Sequence, residues 1–192
     1  ADGPDFLTRA FRASGVLSAD NAVTAIVDLS PLGLLGASEN AFLTVAYAHD
    51  APGLATELFV KFPPREPDHK FALSNQSRSE VELLRFSRRG TMPVPVAPYY
   101  FSDFCSQTTN YIIVTGRIAF GVDPIEPAYR KGRDHLVPHV EEHYEVLARS
   151  LARLAGAHRT GALGPEIETL FPHAQGRRKF YPIPDAQAGA DR

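Results

Sequence analysis

The chain has 192 residues, 44% of them hydrophobic, which suits one domain or one and a half around a packed core and excludes wholesale disorder. Its 20 basic residues against 22 acidic ones leave a net charge of −2, so composition gives no general attraction to nucleic acid or to an anionic membrane. The single cysteine, Cys105, excludes an internal disulfide and suits a reducing, cytoplasmic location, and no apolar run reaches the roughly 20 residues that span a bilayer.

The first residues, Ala1-Asp2-Gly3-Pro4, carry neither a signal peptide nor an initiator Met, so the natural start is expected to lie elsewhere. Residues 5–17 read as a short amphipathic helix around Phe6, Leu7, Ala10 and Phe11. Residues 23–29 read as a strand with Val23, Ala25, Val27 and Leu29 on one face. Residues 31–40 hold Gly33 and Gly36 and read as a turn. A second strand is expected over 42–48 and a third over 57–62, joined by the turn-forming His49-Asp50-Ala51-Pro52-Gly53. Together these make an antiparallel meander of three strands.

Pro63, Pro64 and Pro67 are expected to stop the third strand. A helix follows over 77–89 with Val81, Leu83 and Leu84 inward, Arg88-Arg89 at its negative end and Gly90 just beyond it. Residues 93–98, Pro-Val-Pro-Val-Ala-Pro, must be extended. Strands are expected over 98–104 and 111–115, the second almost wholly apolar and therefore central. Residues 121–134 read as loop. The clearest helix spans 139–158, where Val140, Tyr144, Leu147, Leu151, Leu154 and His158 step by four and three. The remaining residues lack periodicity and read as loop or fraying tail. Five mostly antiparallel strands with one inserted helix is α+β architecture.

One lysine, Lys61, interrupts the apolar strand Leu58-Phe59-Val60-Lys61-Phe62. A lone charge in a buried strand is costly unless it is paired. It snorkels from an edge strand, or it meets a partner. The partner on offer is Glu80, in Ser79-Glu80-Val81-Glu82-Leu83-Leu84-Arg85. Two readings of Glu80 stand side by side. Ser77-x-x-Glu80 and Ser79-x-x-Glu82 both match a capping box, in which the glutamate serves the helix start. If the helix starts near Ser74, Glu80 sits in its body and reaches Lys61. The strand order favours the ion pair.

Gly33-Leu34-Leu35-Gly36-Ala37-Ser38 joins two strands, not a strand and a helix, which excludes a Rossmann or Walker loop. It is an ordinary hairpin, or a turn whose N–H groups cover phosphates. Arg177-Arg178-Lys179 reads as a solvated surface run. The seven histidines show no metal-ligand spacing, and there is no Gly-x-Ser-x-Gly elbow.

From about residue 23 to 159 the chain resembles the phosphotransferase superfamily of aminoglycoside phosphotransferases, choline kinases and ecdysteroid-kinase-like proteins. The resemblance is carried by the glycine turn, Phe59-Val60-Lys61, residues 79–85, Val94-Pro95-Val96, Tyr111-Ile112-Ile113-Val114-Thr115 and Leu151-Ala152-Arg153-Leu154-Ala155-Gly156-Ala157-His158, in that order. It implies a kinase-like N-lobe over 1–115, a hinge over 116–121, and over 122–192 the linker, first helices and tail of an incomplete C-lobe. By resemblance, Lys61 contacts the α- and β-phosphates of ATP and Glu80 holds it, with Gly33, Gly36 and Ser38 around the phosphates. Thr115, Gly116, Arg117 and Ile118 offer backbone groups to adenine, although relatives carry an acidic residue where this chain has Gly116 or Arg117.

The family also needs a catalytic aspartate, and an asparagine and second aspartate for Mg²⁺. No asparagine follows Asn110, and neither His-Gly-Asp nor Asp-x-Asp occurs. The catalytic residues and metal ligands are therefore expected outside this chain, and these 192 residues are expected to be inactive alone. The implied partners are ATP and a small-molecule alcohol acceptor, with neither nucleic acid nor membrane. The bare stripe of the long helix is expected to favour self-association. Two alternatives remain: a non-catalytic nucleotide-binding or regulatory module of the same fold, and an unrelated α+β domain whose Lys61 and Glu80 lie on the surface.

Overall fold

The computed structural model describes residues 3–35, 38–72, 74–130 and 132–172. Five strands, β1 (Val23–Leu35), β2 (Ser38–Tyr47), β3 (Glu57–Phe62), β4 (Tyr99–Phe104) and β5 (Tyr111–Gly116), form one sheet in the order β1-β2-β3-β5-β4. Every neighbouring pair is antiparallel. Among the described residues five α-helices accompany it: α1 (Gly3–Ala13), α2 (Pro67–Ala72), α3 (Ser74–Ser87), α4 (Val140–Arg159) and the single turn α5 (Ile167–Leu170). The architecture is α+β.

The period of two along β3 decides what each side of the sheet does. Leu58 and Val60 point to one face and are fully buried with Leu43, Val45, Val114 and Tyr100. Helix α1 covers that face with Leu7, Ala10 and Phe11. The Phe11 ring meets Tyr100 edge to face at 5.3 Å. Polar contacts fix the docking: the Val23 N–H donates to Thr8 Oγ1 at 2.9 Å, and Ser14 Oγ donates to the Tyr100 carbonyl at 2.6 Å.

Phe59 and Lys61 point to the other face, where α3 packs through Val81 against Ile113 and Tyr111. Arg85 anchors the helix to β4, donating to the Ser102 carbonyl at 2.9 Å and pairing with Asp103 at 2.8 Å. Strand β5 lies between β3 and β4, the central place its apolar run predicts.

Leu83, expected to face inward, is 38% exposed, and three further expectations need correction. Strand β1 does not bury Val27 and Leu29, which are 65% and 51% exposed. Register shifts at Val23/Ala25 and Ile26/Asp28 break the alternation, and β1 is the sheet edge. Secondly, residues 31–35 and 38–40, expected as turn, are strand. Strand β1 runs on to Leu35 and β2 begins at Ser38, with residues 36–37 outside the described set. Thirdly, Pro67 does not merely end a strand. It opens α2, where its missing N–H costs nothing.

The stripe of α4 is open at Leu147 and Leu151, 55% and 59% exposed, and half-buried at Leu154. No helix among the described residues is long and apolar enough to cross a membrane.

Because Phe11 is fully buried between α1 and the sheet, Phe11→Ala should destabilise the chain by about 3–5 kcal/mol. Urea unfolding checks this. A loss below about 1 kcal/mol would mean that α1 is not part of the cooperative core.

Candidate functional site

Lys61 lies in mid-sheet, opposite Asn40 of β2 and Ile113 of β5. Its Nζ stands 2.5 Å from Glu80 Oε1, with the two side chains 23% and 39% exposed. The cation of the strand is thus paired by the helix above it. The helix boundary explains how. Helix α3 starts at Ser74, so Ser77 and Ser79 are interior and neither can head a capping box. Glu80 falls in the second turn, on the side that Val81 seals against the sheet.

A cleft of about 840 Å³ opens beside the pair. Lys61 of β3 and Glu80, Leu83 and Phe86 of α3 form one side; Leu151, Leu154 and His158 of α4 form the other. The walls are mainly apolar. His158 Nε2 lies 2.5 Å from Glu168 Oε1, and both side chains line the cleft. Phe86, fully buried at the cleft's edge, was missed by sequence reasoning. Its helical spacing of three from Leu83, which also lines the cleft, is the signal that would have offered it.

The other expected site residues are not gathered here. Gly33 is not at the hairpin tip. It pairs with Asn40 inside β1, at a register shift, with φ +74° in the left-handed region that glycine tolerates. Gly36 lies outside the described residues, as do Arg177, Arg178 and Lys179. Ser38 is buried at the start of β2. Asn40 Nδ2 donates to the Ser38 carbonyl at 2.7 Å, and the Ser38 hydroxyl lies 3.4 Å from Asn40 Oδ1. Ser38 also joins a polar layer under α3 with Ser77 and Tyr111. Burial raises the Tyr111 pKa, hydrogen bonds from Ser77 and Ser38 oppose the rise, and the Glu80 carboxylate adds to it.

The segment expected as a hinge leaves the sheet at the end of β5. Thr115 is buried opposite Phe59. The Gly116 N–H donates to the Pro98 carbonyl at 2.7 Å, and the Arg117 N–H to the Glu57 carbonyl at 3.0 Å. A Cβ at Gly116 would press on the Pro98 ring at 3.2 Å, so glycine permits the approach. Ile118 is exposed and its N–H has no acceptor among the described residues. None of residues 115–118 lines the cleft.

Among the described residues no group of three or more His, Cys, Asp or Glu side chains is placed to hold a metal. The cleft's carboxylates are already engaged, Glu80 by Lys61 and Glu168 by His158. These residues do not fit a magnesium ion.

Comparison with models of protein families, with curated proteins and with solved structures finds no match to this chain.

Two measurements probe the site itself. A double-mutant cycle on Lys61→Met and Glu80→Gln should give a small but measurable coupling of about 0.2–1 kcal/mol, because Glu80 is partly open to water. Zero coupling would mean that the two groups do not meet in solution.

Tyr111 concerns pH. Its folded pKa is raised above the unfolded value of about 10, so the unfolded chain releases its proton first. The associated stability is whole below about pH 10 and is lost as pH rises towards the folded pKa. Urea midpoints taken at about pH 8 and about pH 10.5 should fall for the native chain and fall less for Tyr111→Phe. Equal losses in both would place the phenol in water.

Proposed function

We propose that this chain is the ATP-binding portion of a small-molecule phosphotransferase of kinase-like fold, whose parent transfers the γ-phosphate of ATP to a hydroxyl acceptor. The observation that carries the reading is the 2.5 Å ion pair between strand Lys61 and helix Glu80. The sheet order β1-β2-β3-β5-β4, with α3 inserted between β3 and β4, supports it. Kinase-like sites use this pairing to aim an ammonium at nucleotide phosphates.

In this reading Lys61 neutralises charge on the α- and β-phosphates. Glu80 keeps the ammonium from swinging away and from pairing elsewhere. The adenine lies toward residues 115–118. The amides of Gly116 and Arg117 are committed to the sheet, so the Ile118 N–H is the backbone donor on offer. Ser38 and Gly33 contribute to the fold of the hairpin rather than to the phosphates. No catalytic base and no metal ligand is assigned to these residues. A reducing cytoplasm suits the lone, partly exposed Cys105.

Calorimetric titration tests the reading. The chain should bind ATP, and Lys61→Ala should weaken that binding by roughly ten-fold, the worth of one charge-assisted contact. Adenosine, which has no phosphate, should not register the substitution. ATP binding that is indifferent to Lys61, or no ATP binding at all, would sink the proposal.

A further inference from the structure

The sheet face that carries Lys61 also carries two aromatic rings. Phe42 and Phe59 are register partners on β2 and β3, and their rings meet edge to face with centroids 6.1 Å apart. Lys61 is two residues beyond Phe59, which is roughly 7 Å along the strand. A planar group stacked on Phe42 would thus lie one short step from the lysine. That place is already taken. The central guanidinium carbon of Arg117 stands 4.0 Å from the Phe42 ring centroid.

The rest of Arg117 shows how it is held. Its N–H donates to the Glu57 carbonyl, and the neighbouring Gly116 is pinned to Pro98, so the backbone here is fixed. The side chain makes two contacts at once: the guanidinium lies over the Phe42 ring, and its Nη1 stands 3.4 Å from the carboxylate of Glu57, whose side chain is mostly exposed. A guanidinium is flat, delocalised and weakly hydrated, so it stacks on a ring as a nucleobase does. Bases in turn stack readily on aromatic side chains. The cation and the base therefore compete for one surface.

We propose that Arg117 is a built-in competitor for the nucleobase: it covers Phe42 and must swing off the ring, with Glu57 as its tether, before a purine stacks there. The movement is a side-chain rotation and leaves the sheet intact. The device sets a threshold on base binding and leaves phosphate binding at Lys61 untouched. It rests on the nucleotide reading above.

The test compares the native chain with Arg117→Ala by calorimetry at fixed ionic strength, using ATP, adenosine and inorganic tripolyphosphate. A contact of this kind at a partly exposed site is worth roughly two- to five-fold in an equilibrium constant. Arg117→Ala should therefore bind ATP and adenosine two- to five-fold tighter. Tripolyphosphate affinity should stay level or fall slightly, since a nearby cation has gone. Unchanged or weakened ATP and adenosine binding in the variant, with ATP bound by the native chain, overturns the competitor and leaves the nucleotide reading standing. A parallel loss for ATP and tripolyphosphate makes Arg117 a phosphate contact, which also overturns it. If neither protein binds ATP, both proposals fall together.

Discussion

A cation placed in the middle of a sheet is the constraint on which the rest of this structure depends. Lys61 sits between apolar neighbours on a strand that is hydrogen-bonded on both sides. Leaving the ammonium unpaired there would carry a desolvation cost, moderated by its 23% exposure. The sheet offers no carboxylate beside it, so a helix must bring one. That requirement fixes where α3 lies. Val81 closes the helix onto Ile113 and Tyr111, Arg85 ties it to β4, and Glu80 then falls over Lys61. The pair adds little net stability because Glu80 is partly wet. What it does is geometric: it holds one ammonium in one place.

The two faces of the sheet divide the work. On one, Leu58 and Val60 meet α1, and burial there supplies the stability. On the other, polar groups are tolerated because each has a partner: Ser38 with Asn40, Tyr111 with Ser77 and Ser38, Lys61 with Glu80. No buried side-chain polar atom among the described residues lacks a hydrogen-bond partner. A face of this kind can carry chemistry without unravelling the fold, because the opposite face does not depend on it.

Much of the fold was legible where a single strong period runs uninterrupted. Strand β3, central β5 and long α4 each announce themselves by alternation, an apolar run or a stripe of fours and threes. The Lys61–Glu80 pair was legible for a related reason: a charge in an apolar strand demands an explanation. What escaped was set by irregularity or by space. Register shifts turned Val27 and Leu29 outward, and no local pattern encodes a bulge. Pro67 both ends a strand and opens a helix, and the sequence alone does not say which matters. Arg117 on Phe42 joins residues 75 positions apart through the β2-β3-β5 order, which composition cannot supply.

The geometry of the pair also bears on what it can do. An ammonium has three N–H donors and no acceptor. Glu80 Oε1 engages one of them. Lys61 lines the cleft, and both side chains keep some exposure to water. Leu83, Phe86 and Leu154 make the adjoining wall apolar. A wall of that kind thins the water around the ammonium, so its field on an arriving anion is screened less than at an open surface. The same thinning would punish a lysine that lost its carboxylate. In the proposed nucleotide reading the glutamate is therefore not a competitor for the anion. It is the condition on which a charged lysine can wait in such a place at all.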